Sequence, residues 1–486
     1  MNTLLDPTSW SGRIFSQSWV PGGGGVRDVR EPATGDKLGE VGIASAQDVA
    51  DTARAALAAQ TEWARRPFTD RVAVMRRAAQ LFTDHADEIA EWLVRESGAT
   101  RMFGLMQAKL AADECWEAAA LASAPFGELY RTESPRMSLT RQVPVGVVGV
   151  IAPFNAPLAL AIRAVAPALA LGNSVVCKPD PRTAVSGGVV IARVFQEAGL
   201  PAGVFHMLPG GAETGAALVA SPVIPVIAFT GSTSGGRAIA RAAAEHLKRT
   251  HLELGGNSAY IVLDDADIEA AASAGAFGTF NHAGQICMAI GRHLVHESVA
   301  DEYARLLAKH AERLPVGNPA ADQVAFGPLI DEGQRDHVHK IVSDTVAAGA
   351  TVLTGGNYQG LFYEPTVLHN VSASSRSFAE EVFGPVASVV SFSTLDEAVA
   401  LASDSNYGLS LGIATRDVSI GLELAERIPT GMVHINDQTI NDEPWVPFGG
   451  VNDSGTGSRH GGSANLAAFT ETQWVTLRTE MPAYPF

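Results

Sequence analysis

The chain has 486 residues, 46% of them hydrophobic, which is enough for two or three domains with large cores. Its net charge of −17 argues against sequence-independent contact with nucleic acid or an anionic membrane, both of which need a basic face. Three cysteines without C-x-x-C or metal-ligand spacing argue against a disulfide scaffold or a metal site, and fit the reducing cytoplasm.

The first twenty residues carry Asp6 and Arg13 and lack the apolar core of a signal peptide. Residues 14–44 read as short strands and turns, with Pro21 and Gly22 to Gly25 as a flexible turn. Ser45 and Asp48 have the spacing of a capping box, followed by Val49, Ala53 and Ala56 at helical intervals. Thr69 is expected to cap a helix over 71–83, and further helices are expected over 87–97 and 105–123. Residues 129–142 and 473–478 alternate in character and read as an extended ribbon whose open edges suit pairing with another subunit.

From Val145 strands and helices alternate. Strands over 145–152, 174–178, 204–207, 226–229 and 250–254 are separated by helices over 158–171, 183–198, 212–220 and 236–247. This predicts a doubly wound α/β domain of the nucleotide-binding kind. Beyond Gly255 a second α/β series follows, with helices over 268–281, 299–313, 334–348, 395–402 and 418–427. Its strands are expected over 294–296, 387–393, 411–414 and 432–435. No stretch reads as a membrane span, because 144–154 is too short and 157–171 carries Arg163.

The chemistry centres on Asn281-His282-Ala283-Gly284-Gln285-Ile286-Cys287-Met288. Alone, this octapeptide fits an inert packed thiol better than a nucleophile, since cysteine is so often buried. The small residues of Phe229-Thr230-Gly231-Ser232-Thr233 sit where strand becomes helix. There, backbone N–H groups can meet a phosphate, although the stretch is not a G-x-G-x-x-G fingerprint. Lys178 ends a strand and suits ribose hydroxyls or phosphate, or simply solvent.

Together with Pro153-Phe154-Asn155, Leu208-Pro209-Gly210, Leu252-Glu253-Leu254-Gly255-Gly256-Asn257, Glu380-Glu381-Val382-Phe383-Gly384-Pro385, Asn406-Tyr407-Gly408-Leu409 and Pro447-Phe448-Gly449-Gly450, these stretches resemble the aldehyde dehydrogenase superfamily over nearly the whole chain. The resemblance implies two doubly wound α/β domains, one for cofactor and one for catalysis, plus a small β oligomerisation ribbon. The implied division is 1–124 with 145–254, then 255–463, with the ribbon from 125–144 and 464–486. It implies NAD(P)-dependent oxidation of an aldehyde to the carboxylic acid through a cysteine thiohemiacetal and thioester. By family position Cys287 is the nucleophile. Asn155 and the Cys287 N–H hold the oxyanion, and Glu253 activates the hydrolytic water. The cofactor positions are Ile151, Pro153, Phe154, Lys178, Gly211, Gly215, Phe229, Gly231, Ser232, Leu254, Glu381 and Phe383.

Many NAD-preferring relatives carry glutamate where this chain has Pro181, and the neighbouring Arg182 suits a 2′-phosphate, so both NAD and NADP are expected as coenzymes. The finest likeness, in residues 157–167, 178–183 and 434–444, is to the benzaldehyde and vanillin dehydrogenase branch. An aromatic aldehyde needs an apolar slot, for which Ile286, Met288 and Trp445 are candidate walls. Arg163 is expected to meet a polar ring substituent or, equally, to form a structural ion pair. The alternatives are an aliphatic aldehyde or semialdehyde substrate, a CoA-acylating variant disfavoured by Glu253, a cofactor-free cysteine hydrolase, or a scaffold. A homodimer or homotetramer is expected.

Overall fold

The computed structural model describes residues 3–486 and contains two seven-stranded sheets and a three-stranded ribbon. In the first sheet the fully buried strand Val147–Ile151 lies centrally, as its unbroken apolar run requires. Ser174–Lys178 pairs parallel on one side and Val226–Thr230 on the other. Phe205–Met207 and Arg249–Glu253 extend the sheet outward from these two. The chain thus winds outward in one direction, then returns to the opposite flank. That reversal opens a crevice at the carboxyl ends of the central strands. Two short N-terminal strands, Arg13–Phe15 and Trp19–Pro21, add antiparallel to one edge, so the sheet is mixed where an all-parallel sheet was expected.

In the second sheet Ser258–Val262 lies between Ile290–His296 and Ser410–Ala414, both parallel to it. Val386–Phe392 and Thr366–His369 continue one flank and Met432–Ile435 the other, with Thr351–Thr354 an antiparallel edge. Three of these strands, Ser258–Val262, Thr351–Thr354 and Thr366–His369, escape the sequence reading.

The capping box at Ser45 and Asp48 opens the helix Ala46–Arg65. Thr69 does not cap. The helix runs Phe68–Asp84 from Pro67, two residues before the expected cap. The expected helix over 183–198 is two pieces, a wide turn Val185–Val189 and then Val190–Glu197. The buried Glu96 carboxylate holds the entry by accepting hydrogen bonds from Val185 N, Ser186 N and Ser186 Oγ. Helix Pro157–Ala170 is apolar on all sides except Arg163, and every residue in it is buried.

The ribbon pairs Met137–Pro144 with Thr470–Leu477 over their full length and carries Leu129–Tyr130 on its other edge. Among the described residues no helix is long and apolar enough to cross a membrane, and no cluster of three metal-ligating side chains occurs.

Candidate active site

The segment carrying Cys287 is held from several sides. His282, Ala283 and Gly284 all have left-handed backbone, with φ of 50°, 54° and 68°. Gly284 also lies so close to the neighbouring chain that a Cβ would stand 2.1 Å from Gly384 O. His282 stacks on Phe103 with ring centroids 4.5 Å apart. The Gln285 side chain accepts from Ile330 N at 3.0 Å, and Met288 O accepts from Thr439 Oγ1 at 2.6 Å. Two non-glycine residues in the left-handed region cost on the order of 1–3 kcal/mol each, so these contacts must over-determine the loop.

Gly255 and Gly256 let two functional groups approach. A Cβ on Gly255 would lie 2.3 Å from Glu381 Oε2, and one on Gly256 2.3 Å from Cys287 O. The Asn155 side-chain amide donates one N–H to Gln285 O at 2.8 Å, which ties the Pro157–Ala170 helix entry to the cysteine loop. Its second N–H is free for a ligand, and the Cys287 N–H has no acceptor among the described residues.

Cys287 and Asn155 lie on the wall of a cleft of about 680 Å³ that opens at the crevice of the first sheet. All twelve expected cofactor positions line this cleft. Lys178 spends two of its three N–H groups on Gly210 O, at 2.8 Å, and Pro179 O, at 3.2 Å. The N-termini of helices Ala212–Ala220 and Thr233–Ala244 follow Gly211 and Ser232 at the cleft. Phe154 and Phe383 meet edge to face, 5.9 Å between centroids. Glu381 accepts from Gly256 N at 2.9 Å, and burial pushes its carboxyl up to about 7. A lysine, two helix N-termini, a buried carboxylate and two rings along one cleft fit the phosphates, ribose hydroxyls and planar ring of a dinucleotide.

Arg182 also lines the cleft, along with Asp180, Gln334 and His337, none of which was expected there except Arg182. Three of its five guanidinium N–H groups are engaged. It donates twice to Asp180 at 2.9 Å and once to Asp331 at 2.6 Å, and it lies 4.2 Å over the Phe154 ring. Arg182, expected to receive a 2′-phosphate, thus stands at the cleft already paired with two carboxylates and with two N–H groups unspent. Gln334 and His337 come from helix Glu332–Ala347, whose sequence bears no mark of the contact.

Cys287 also packs against a buried apolar cluster of Ala99, Phe103, Ile286, Met288, Leu409 and Phe448. Ile286 and Met288, expected as substrate walls, are packed in this cluster beside Cys287 and do not line the cleft. Trp445, the third expected wall, is 55% exposed and stands outside both the cluster and the cleft. Arg163 is 2% exposed, ion-paired with Asp442 through Nη2 and stacked over Phe448 at 4.4 Å, so the expected ion pair forms.

Glu253 ends its strand 2% exposed and does not line the cleft. Neither carboxylate oxygen has a partner among the described residues, and a Cβ on Gly449 would lie 2.7 Å from Oε1. Burial pushes its carboxyl well above the usual range, against the pull of Arg163 and Arg459. Burial, then the Glu381 charge, pushes the Cys287 thiol up to about 12.

This is the architecture of a dinucleotide-dependent oxidoreductase built around one cysteine. The aldehyde dehydrogenase family model matches residues 19–475, and the chain belongs to that family. It is 61% identical to a vanillin dehydrogenase of Amycolatopsis sp. and 51% identical to a benzaldehyde dehydrogenase [NAD(+)] of Pseudomonas putida, covering 100% of both chains in each case. The crystal structure of betaine aldehyde dehydrogenase from Staphylococcus aureus in complex with NAD+ is 30% identical and superposes with a TM-score of 0.95, over 99% of this chain and 97% of that one. The protein is an NAD(P)-dependent aldehyde dehydrogenase.

Proposed function

We propose that this enzyme oxidises an aromatic aldehyde of the benzaldehyde or vanillin type to its carboxylic acid. The observation that carries the reading is the apolar cluster of Phe103, Ile286, Met288 and Phe448 packed beside Cys287, which offers a flat ring apolar surroundings next to the thiol. The full-length likeness to enzymes named for such substrates supports it.

In this reading Cys287 Sγ loses its proton and adds to the aldehyde carbon. The oxygen becomes an anion held by the free Asn155 N–H and the Cys287 N–H. Lys178, Gly231, Ser232, Glu381 and Phe383 would hold the nicotinamide nucleotide, which supplies the hydride acceptor. Loss of hydride leaves a thioester on Cys287. Glu253 then takes a proton from water, hydroxide attacks the thioester, and the acid leaves with Cys287 restored.

We read 1–124 with 145–254 as the cofactor domain, 255–463 as the catalytic domain, and the ribbon as the contact of a cytoplasmic homodimer or homotetramer. The free cysteines and the open ribbon edge support this.

The test follows reduced-nicotinamide absorbance with benzaldehyde, vanillin, hexanal and succinate semialdehyde, with Cys287→Ala as the blank. The aromatic aldehydes should give the highest kcat/KM. Preference for hexanal or the semialdehyde would overturn the substrate assignment and leave the reaction standing.

A further inference from the structure

Two links join the opposite walls of the nucleotide cleft. Arg182 and Phe154 belong to the first wall, since they follow the strands Ser174–Lys178 and Val147–Ile151 of the first sheet. Asp331 and Phe383 belong to the second. Asp331 is the N-cap of helix Glu332–Ala347, whose Val338, Ile341 and Val342 are buried in the core of the second sheet. Phe383 leads into the strand Val386–Phe392 of that sheet. Arg182 Nη1 donates to Asp331 Oδ2 at 2.6 Å, and the Phe154 and Phe383 rings meet edge to face.

These links are parts of one closed ring of contacts. Asp331 Oδ1 accepts from Gln334 N at 2.9 Å. Gln334 Nε2 donates to Phe383 O, also at 2.9 Å. Phe383 meets Phe154, and Phe154 lies under the Arg182 guanidinium, which returns to Asp331. Asp180 holds that guanidinium from the first wall by accepting from Nε and Nη2, which fixes its plane. Arg182, Phe154, Gln334 and Phe383 all line the cleft. The ion pair therefore bears on how far apart the two rings stand, although Asp331 itself does not line the cleft.

We propose that Arg182 is a positioning residue for the coenzyme: paired with Asp331, it clasps the two walls and sets the spacing of Phe154 and Phe383, against which the nicotinamide ring packs. The inference rests on the reading of Phe154 and Phe383 as cofactor positions. It gives helix Glu332–Ala347 a part in coenzyme binding through its cap.

The experiment is isothermal titration of nucleotide-free enzyme with NAD and with ADP-ribose, which lacks only the nicotinamide, with thermal melting as the check on folding. Asp331→Asn keeps an oxygen for Gln334 N, and Asn caps a helix as well as Asp does. It loses the charge and the second oxygen that hold Arg182. The NAD dissociation constant should rise about fivefold, as loss of a half-exposed ion pair allows. The ADP-ribose constant should stay within about twofold of the parent. Arg182→Met also gives up the contact with Phe154 and should weaken NAD at least as much. The double variant should be no weaker than Arg182→Met alone, because both substitutions break one bond. If Arg182→Met does not fold, Asp331→Asn with the two ligands carries the test. Parent-like NAD binding in Asp331→Asn, equal weakening of NAD and ADP-ribose, or effects that add in the double variant would overturn the inference. Phe383→Leu separates it from the reading beneath it and should weaken NAD alone. Parent-like NAD binding there would remove Phe383 as a cofactor position, and the inference with it. Weakened NAD binding there, with parent-like binding in Asp331→Asn, would remove the inference alone.

Discussion

At the scale of single residues, the cysteine that the chemistry needs as a thiolate rests as a thiol. Its proton is held by burial first and by the Glu381 carboxylate second. A thiol pushed up to about 12 is neutral at pH 7, and its thiolate fraction grows about tenfold for each pH unit below that value. Alkylation of the nucleotide-free enzyme by iodoacetamide should therefore keep accelerating beyond pH 10. Glu381→Gln should raise the alkylation rate at pH 8, where the parent carboxylate is charged. A plateau near pH 8 in the parent enzyme would mean a thiol far less shielded than this one. Asn155 acts on the other reacting atom. Asn155→Ala should lower kcat by about a hundredfold to a thousandfold, with a smaller change in KM, since its free N–H meets an oxygen that becomes charged only during reaction. Steady-state kinetics with benzaldehyde check that split. Both residues are legible in the sequence because short motifs surround them. Arg163 is legible as half of an ion pair, but its partner Asp442 is not, because it lies 279 positions away and nothing local announces it.

At the scale of elements, the loop before Cys287 shows what a motif can carry. Gly284 is required twice, by its positive φ and by its approach to Gly384 O. Gly284→Ala should displace the loop, with loss of most activity and a lower melting temperature. Gly35 is the control: it has φ of 81° and open space around it, so Gly35→Ala pays only the left-handed backbone cost of about 1–2 kcal/mol and should keep its kcat. Comparable kinetic losses in both variants would mean that the effect at Gly284 does not come from its approach to Gly384 O. The long helices and buried strands follow from pattern and composition. The short strands do not, nor does the split at Val185–Val189. That split answers to a carboxylate, Glu96, contributed by a helix 89 residues away.

At the scale of the whole molecule, the ribbon is the element whose surface the rest of the chain does not explain. Thr470–Leu477 pairs along one side only, and its other edge is open. Leu129, Tyr130, Met137, Trp474 and Leu477 leave large apolar groups in solvent on the same three strands. An open edge beside exposed apolar side chains is a pairing surface unless something blocks it, and no proline interrupts Thr470–Leu477. Trp474 is held in place by donating its indole N–H to Ser138 Oγ at 2.8 Å, so its exposed ring is a fixed feature. The double substitution Trp474→Glu, Leu477→Glu puts two charges on this surface without touching the cleft. Light scattering should then show the assembly falling toward the 50.8 kDa of one chain, while Cys287 still alkylates at the parent rate. An unchanged mass would leave the ribbon without a part in any subunit contact. A lower mass with altered alkylation would mean that assembly through the ribbon also shapes the cysteine loop.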